Sequence, residues 1–518
     1  MYTCDNCGSS ALKVHKRRIK KNGGKSIEYR CSVCGKYKTF SEESEILNEQ
    51  VSYKDIYNST DVTVNHKRIV VTSCQSNTKT NYEFLSALQM YCVENDAKLY
   101  VIPIKYRNPK VSDNEELNFY DEVLEEYLLD DNIKIHPKLR ILGKLKINAT
   151  AANPLIGLDS VTRGDSIIIG HNQLQYKSIP VSQSDYPVIM TTTGTISEEN
   201  YSESKSGYKA EFNHTFSATV VELDSDKFHI RQLHFDGAGF YDLDKYYTPM
   251  NVEKVNRISA LIPGDEHAMF VDARVKEATF GENGISELLN PEYIVRHDLL
   301  DCYSVSHHHK NNVFTKYAKH KSGKDNLRKE ILETIEYLID THSGAKNLIV
   351  SSNHNDHLTK WLNYADPKLE PWNALLYHQL MFLILSKTNF TKQGTSMPNP
   401  FEVFLDDYIS STNIYLEYTF LDRTTSYKIE DIEISYHGDA GSNGSRGNRV
   451  GFSKLSSKTV IGHSHTPGIE KGCYQTGTSS ELQLEYNIGP SSWMHTHCII
   501  YPNGKRTLIN IINGEWRL

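Results

Sequence analysis

Five times along this chain a short apolar run breaks off into aspartate, asparagine or histidine, and that recurrence limits the possible folds more than any other feature. The last instance is Lys458–Pro467, KTVIGHSHTP. Its β-branched run Thr459-Val460-Ile461 reads as a buried strand ending in Gly462-His463-Ser464-His465. Residues i and i+2 of a strand face one way, so His463 and His465 present two imidazoles to one side. Gly462 has no Cβ and lets another group approach closely. Arg257–Pro263 ends at Gly264-Asp265-Glu266-His267, where Asp265 and His267 share the same i, i+2 geometry. Tyr293–Arg296 leads into His297-Asp298, Asn347–Val350 into Ser352-Asn353-His354, and Asp431–Ser435 into His437. One such end reads equally well as surface polarity. Five in series are expected to converge on a metal centre. Mixed nitrogen and oxygen donors without thiolate suit Mn²⁺ first, with Mg²⁺, Fe or Zn²⁺ as alternatives.

The N-terminus carries a different metal signature. Cys4-Asp-Asn-Cys7 and Cys31-Ser-Val-Cys34 are two thiolate pairs able to grip one tetrahedral Zn²⁺, and Gly8 and Gly35 follow them where a tight turn needs positive φ. Residues 1–40 therefore read as a zinc ribbon. Its basic hairpin, with Lys16, Arg17, Arg18, Lys20 and Lys21, suits phosphate-backbone contact; a solvated hairpin or a protein-binding ribbon reads equally well. This head carries +8, leaving −15 for the rest of a chain whose net charge is −7. A basic head meets a polyanion, and an acidic body holds cations. The other cysteines (Cys74, Cys92, Cys302, Cys473, Cys498) are scattered and read as small apolar packing residues.

Residues 41–65 are acidic and aperiodic and read as a linker. Arg68–Ser73, a helical pattern at Asn81–Glu94 and Lys98–Ile104 form a βαβ unit, so residues 66–250 are expected to be an α/β accessory domain with a parallel sheet. Residues 251–518 form the domain with the ligand-bearing strand ends. Its clearest helix is capped by Asp325 or Asn326, has Leu327, Ile331, Ile335 and Leu338 on one face, and stops at Gly344. His307, His308 and His309 read as a polar loop. Arg446 and Arg449, in the glycine-rich stretch 441–449, are candidates to bind a phosphate chain. No apolar run reaches membrane-spanning length and the N-terminus lacks a signal-peptide pattern, so a cytoplasmic protein without membrane contact is expected.

The order D-x-H, D, NH, H, GHxH resembles the calcineurin-like metallophosphoesterase superfamily, which includes the Mre-eleven-type nucleases. His297 and Ser352 stand where that family usually has glycine, and the acid after His354 is shifted by one. The stretches TSCQSNTKTNYEFLSAL, VIPIKYRNP, NPLIGL, TTGTISEENYS and SSNHNDHLTKWL are similar to the early DNases of T-five-like bacteriophages, with the ribbon as an addition. The resemblance implies a metallophosphoesterase β-sandwich flanked by helices. It implies one ion held by Asp265, His267 and His465, and a second by Asn353, His437 and His463. Asp298 would bridge them, His354 would assist the leaving group, and Asp356 would orient His354. It further implies a DNase that takes DNA as partner in the host cytoplasm, and a homo-oligomer. A small-substrate phosphoesterase and a non-catalytic DNA-binding scaffold are the competing readings.

Overall fold

The computed structural model describes residues 4–19, 25–42, 58–106, 119–183, 185–391 and 394–518. The chain divides into two compact units, 1–57 and 58–518.

In the first unit three antiparallel strands, Leu12–Ile19, Lys25–Cys31 and Tyr37–Glu42, pair in chain order. Gly8 and Gly35 have φ of +68° and +72°. Their amides donate back to the Cys4 and Cys31 carbonyls, closing the two knuckles. Cys4 Sγ lies 3.5 Å from Cys34 Sγ, and Cys7 Sγ lies 3.6 Å from Cys31 Sγ. Tetrahedral Zn–S bonds of about 2.3 Å place sulfurs about 3.8 Å apart, so the four thiols are spaced for one zinc ion. Lys16 is exposed on the first strand. Lys20 and Lys21 lie outside the described residues.

The second unit is mixed α/β. A six-stranded sheet runs in the order Tyr418–Leu421, Lys346–Val350, Tyr293–Arg296, Ala260–Ile262, Thr496–Ile500, Arg506–Asn510. Its first four strands are mutually parallel, so their carboxyl ends open on one edge; the last two pair antiparallel. An eleven-stranded sheet includes Ile432–Glu433, Lys458–Ile461 and Cys473–Gln475, which are also mutually parallel. Ala260, Ile262, Val295 and Val350 of the first sheet share one buried cluster with Ile432, Val460, Ile469 and Tyr474 of the second. The alternation of apolar side chains explains this packing, because each strand turns one face to the common core. Helices Leu327–Asp340, Asn355–Tyr364, Ala374–Lys387 and Pro400–Thr412 pack with Ile349 on the other side.

Several local expectations meet their elements. Asn81 caps Tyr82–Glu94 by accepting from the Phe84 amide, and Asn326 caps Leu327–Asp340 by accepting from Lys329. The latter helix ends before Gly344: the Thr341 hydroxyl bonds the Tyr337 carbonyl, and the chain leaves the helix there.

Three expectations need correcting. The parallel pairing of the βαβ unit is confined to Arg68–Gln75 with Ala97–Ile104, and Ser217–Leu223 joins that pair antiparallel. The segment 41–65 is no uniform linker, since Thr60–Asp61 pairs with Ile133 and Lys134. Residues 66–250 and 251–518 share one compact unit: Gln175–Ile179 pairs with Gly468–Glu470 inside the eleven-stranded sheet.

Glu266, between Asp265 and His267, points the opposite way and is fully buried against Arg296 at 2.7 Å. Arg296 also donates to Asn347 at 2.8 Å, and the Tyr337 hydroxyl to Glu266 at 2.9 Å. This network ties together the three strands whose ends carry Asp265, Asp298 and Asn353. Glu266→Ala would leave a buried guanidinium unpaired, and is expected to lower stability by about 3–5 kcal/mol in urea denaturation.

Candidate metal centre

The carboxyl ends of both sheets meet at one buried place. Asp265, His267, His297, Asp298, His437 and His465 are each at most 4% exposed. Two groups of ligand atoms, each spanning no more than 4.8 Å, form there: Asp265, His267, Asp298 and His465, and then Asp265, His297 and His437. His267 Nε2 is 2.9 Å from His465 Nε2, and His465 Nε2 is 3.2 Å from Asp265 Oδ2. Asp298 Oδ2 lies between the groups, 3.1 Å from His437 Nε2 and 3.6 Å from His267 Nε2. His463 is half-buried with its ring 5.3 Å from that of His437, and belongs to neither group.

The backbone there is unusual. His267, Asp298, His463 and His465 have φ between +44° and +77°. Non-glycine residues in this region carry strain of order 1–3 kcal/mol, which persists where surrounding structure enforces it and gathers at functional sites. Gly462 is demanded by contact rather than by φ, since a Cβ there would sit 2.1 Å from Asp265 Oδ1. Gly462→Ala is therefore expected to displace the Asp265 carboxylate and weaken divalent-metal binding by about 10–100-fold in calorimetric titration.

Whether these residues fit metal ions is decided by their unpaired atoms. Both Asp265 oxygens, Asp298 Oδ1, Asn353 Oδ1, His297 Nε2 and His437 Nε2 are buried without an aligned hydrogen bond. Each such atom costs about 1–3 kcal/mol if left so, and carboxylates more. Cations satisfy this donor set; an apolar ligand does not. The electrostatics agree in sign. Asp298 is held well below the ordinary carboxylate range: burial opposes this, and His437 and His354 outweigh burial. Burial, then His437, pushes His297 down to about 4, leaving a neutral imidazole.

His354 stands at the more open rim, immediately before the helix Asn355–Tyr364. Its Nδ1 lies 3.1 Å from Asp301 Oδ1, and the other Asp301 oxygen is 3.0 Å from His267 Nδ1. Burial works against the charged form, but Asp298 and Asp301 raise His354 to about 10. Its Nδ1 is anchored on Asp301, by the backbone carbonyl as well as the carboxylate.

Asp356 does not orient His354. It pairs with Arg423 at 2.9 Å, and the same guanidinium reaches Asp439 at 2.6 Å, two residues after His437. Arg449 is likewise drawn inward, donating to the Thr466 carbonyl and to Gln475, with its guanidinium against Gly468. Arg446 remains exposed. His307–His309, expected to be a polar loop, form a single 3-10 turn, with His307 Nδ1 3.1 Å from His357 Nδ1. Trp493 packs its ring 4.1 Å from that of His465. His297 and Asp301 are the site residues not proposed as ligand or orienter from the sequence; the only signal was the repeated acid in Asp298-Leu-Leu-Asp301.

These features describe a mixed α/β protein with a buried histidine–carboxylate centre and a four-cysteine ribbon. No family model matches the chain, and no solved structure matches it. Protein A1 of Escherichia phage T5 is 32% identical over 468 residues, spanning 87% of this chain and 83% of that protein. The chain belongs to the family of phage T5 Protein A1. Among the described residues no helix is long and apolar enough to cross a membrane.

Proposed function

We propose that the chain is a dinuclear metal-dependent phosphodiesterase of the calcineurin-like type, acting on DNA during phage infection. The observation that carries this reading is the convergence of two ligand groups that share Asp265, the first including Asp298, with buried oxygens and nitrogens left without aligned hydrogen bonds. Asp265, His267 and His465 would hold one ion and His437 and Asn353 the other, with Asp298 between; His297 is the added donor on the second side. When bound, two divalent ions lower the pKa of a water and neutralise charge on a phosphate's non-bridging oxygens.

The protein's own residues do the rest. Asp301 fixes His354 with Nε2 toward the rim, where the imidazolium donates its proton to the departing alkoxide oxygen. Asp301 also fixes His267 by its Nδ1, as carboxylates commonly do for a metal-bound histidine. Trp493 and the apolar strands keep the centre dry, strengthening each charge interaction.

DNA is favoured as substrate by the membership of a phage protein family and by the basic ribbon, whose cysteines are spaced for structural Zn²⁺. A homo-oligomer is favoured by Leu375, Phe382 and Leu385, more than 60% exposed on one helix.

The test is cleavage of labelled DNA by the purified chain with Mn²⁺, beside hydrolysis of bis(p-nitrophenyl) phosphate. Cleavage of both, abolished by a chelator, is expected. Hydrolysis of the small ester with intact DNA would replace the nuclease reading by a small-substrate phosphoesterase.

A further inference from the structure

On the far end of the strand that delivers His463 and His465, a cleft of about 720 Å³ opens between the helix Lys205–Phe212, the segment 453–458 and two sheet turns. Lys209, Lys458, Lys471, Lys505 and Arg506 line it, and its lining contains no aspartate or glutamate. The chain as a whole carries more acid than base. None of these five cations makes a salt bridge among the described residues. Asp236, the carboxylate that acts on Lys505, is itself bonded by Asn503, the Tyr246 hydroxyl and two backbone amides. Burial, then Arg506, holds Lys458 below the ordinary lysine range against the pull of Asp431, and burial, then Lys458, does the same to Lys505 against that of Asp236.

The floor and mouth of the cleft are aromatic. Arg506 lies 4.2 Å above the Tyr474 ring and is 6% exposed, anchored to the Thr459 and Gly472 carbonyls. At the lip, Phe212 is 89% exposed at the end of its helix. A large aromatic displayed to water beside a row of unpaired cations combines the two elements that hold an unpaired nucleic-acid strand: cations track the phosphates and an aromatic face stacks on a base. A strand rises about 3.3 Å per residue, so Lys458 stands about 16 Å from His463, too far for one phosphate to meet both.

We propose that this cleft is a second nucleic-acid site, holding a single-stranded stretch of the polymer whose cleavage is assigned above to the metal centre. The choice of DNA rests on that assignment; the anion site does not. Several nucleotides remote from the reacting phosphate would be gripped here, and the substrate would stay attached between cleavages.

The test uses the full-length protein with its ribbon zinc in place and no added Mn²⁺, so that binding is read without turnover. A fluorescent single-stranded oligonucleotide is titrated by anisotropy at several salt concentrations, against wild type and the triple variant Lys458→Glu, Lys471→Glu, Lys505→Glu. Affinity is expected to fall at least about tenfold, and the slope of log K against log salt to drop by about 2, the value for three lost single-strand phosphate contacts. Bis(p-nitrophenyl) phosphate turnover with Mn²⁺ should stay within about twofold of wild type, since none of the three touches the metal centre. Phe212→Ala, on the surface, is expected to weaken single-stranded binding more than duplex binding. Unchanged affinity and slope in a triple variant that melts like wild type would overturn the proposal. So would equal, lysine-dependent binding of ATP or tripolyphosphate with no gain for a longer strand, which would make the cleft a small-anion site. Lysine-dependent DNA binding without any DNA cleavage would sink the nuclease reading and leave this site standing.

Discussion

Asp265→Ala is expected to empty the buried centre of divalent metal and to lower phosphodiester turnover by about 10³-fold or more. Asp265 belongs to both ligand groups, so its loss opens both at once. A second readout separates this from simple misfolding. Mn²⁺ should raise the melting temperature of wild type and leave that of the folded variant unchanged. Full metal content in Asp265→Ala, measured by mass spectrometry on the folded protein, would remove the centre from the argument.

The next largest effect concerns the rim. His354→Ala is expected to reduce turnover by about 10²–10⁴-fold while both ions stay bound, since His354 lies in neither of the two Asp265-centred groups. The acid that supports it is identified by a paired comparison. Asp301→Asn should cost about 10–100-fold, because it releases Nδ1 of both His354 and His267. Asp356→Ala should leave turnover within about twofold, its carboxylate serving Arg423 instead. The pH profile carries the sign. Asp298 and Asp301 hold His354 up near 10, and this ion pairing stabilises the metal-free fold fully below the ordinary histidine pKa near 6.5. The contribution is lost as pH rises from there through about 10, so stability falls over that window in wild type and stays flatter in His354→Ala. Identical losses from Asp301→Asn and Asp356→Ala would show that the rim is organised differently.

The strand ends that carry the site residues were legible as apolar runs breaking off into Asp, Asn and His, but the period of two did not set the side-chain directions: the strands stop at Ile262 and Ile461, and His267, His463 and His465 follow in turns with positive φ. His463 accordingly belongs to neither ligand group although His465 does. Assignment by nearness in sequence failed as well. Asp356 was assigned to His354 by nearness in sequence, but it sits two positions along a helix start, where neighbours i and i+2 face away from each other. Asp301 reaches His354 only because Asp298 and Cys302 turn the backbone through positive φ on either side of it. Arg449 looked free because it follows a run of glycines; its guanidinium instead lies over Gly468, a contact made by the fold and by nothing nearby in the chain. The accessory segment is the larger case. That Gln175–Ile179 would add to a sheet with Gly468–Glu470 has no local signature, since the pairing depends on closure across nearly 300 residues.

That long-range closure also sets when the molecule becomes complete. The edge joining residues 175–179 to 468–470 and the donors at 463 and 465 all wait on the last eighth of the polypeptide. A ribosome carrying four-fifths of this chain holds a half-built sheet and a ligand set without its final histidines. The cluster at 265, 267, 298 and 465 cannot close until those histidines have been made.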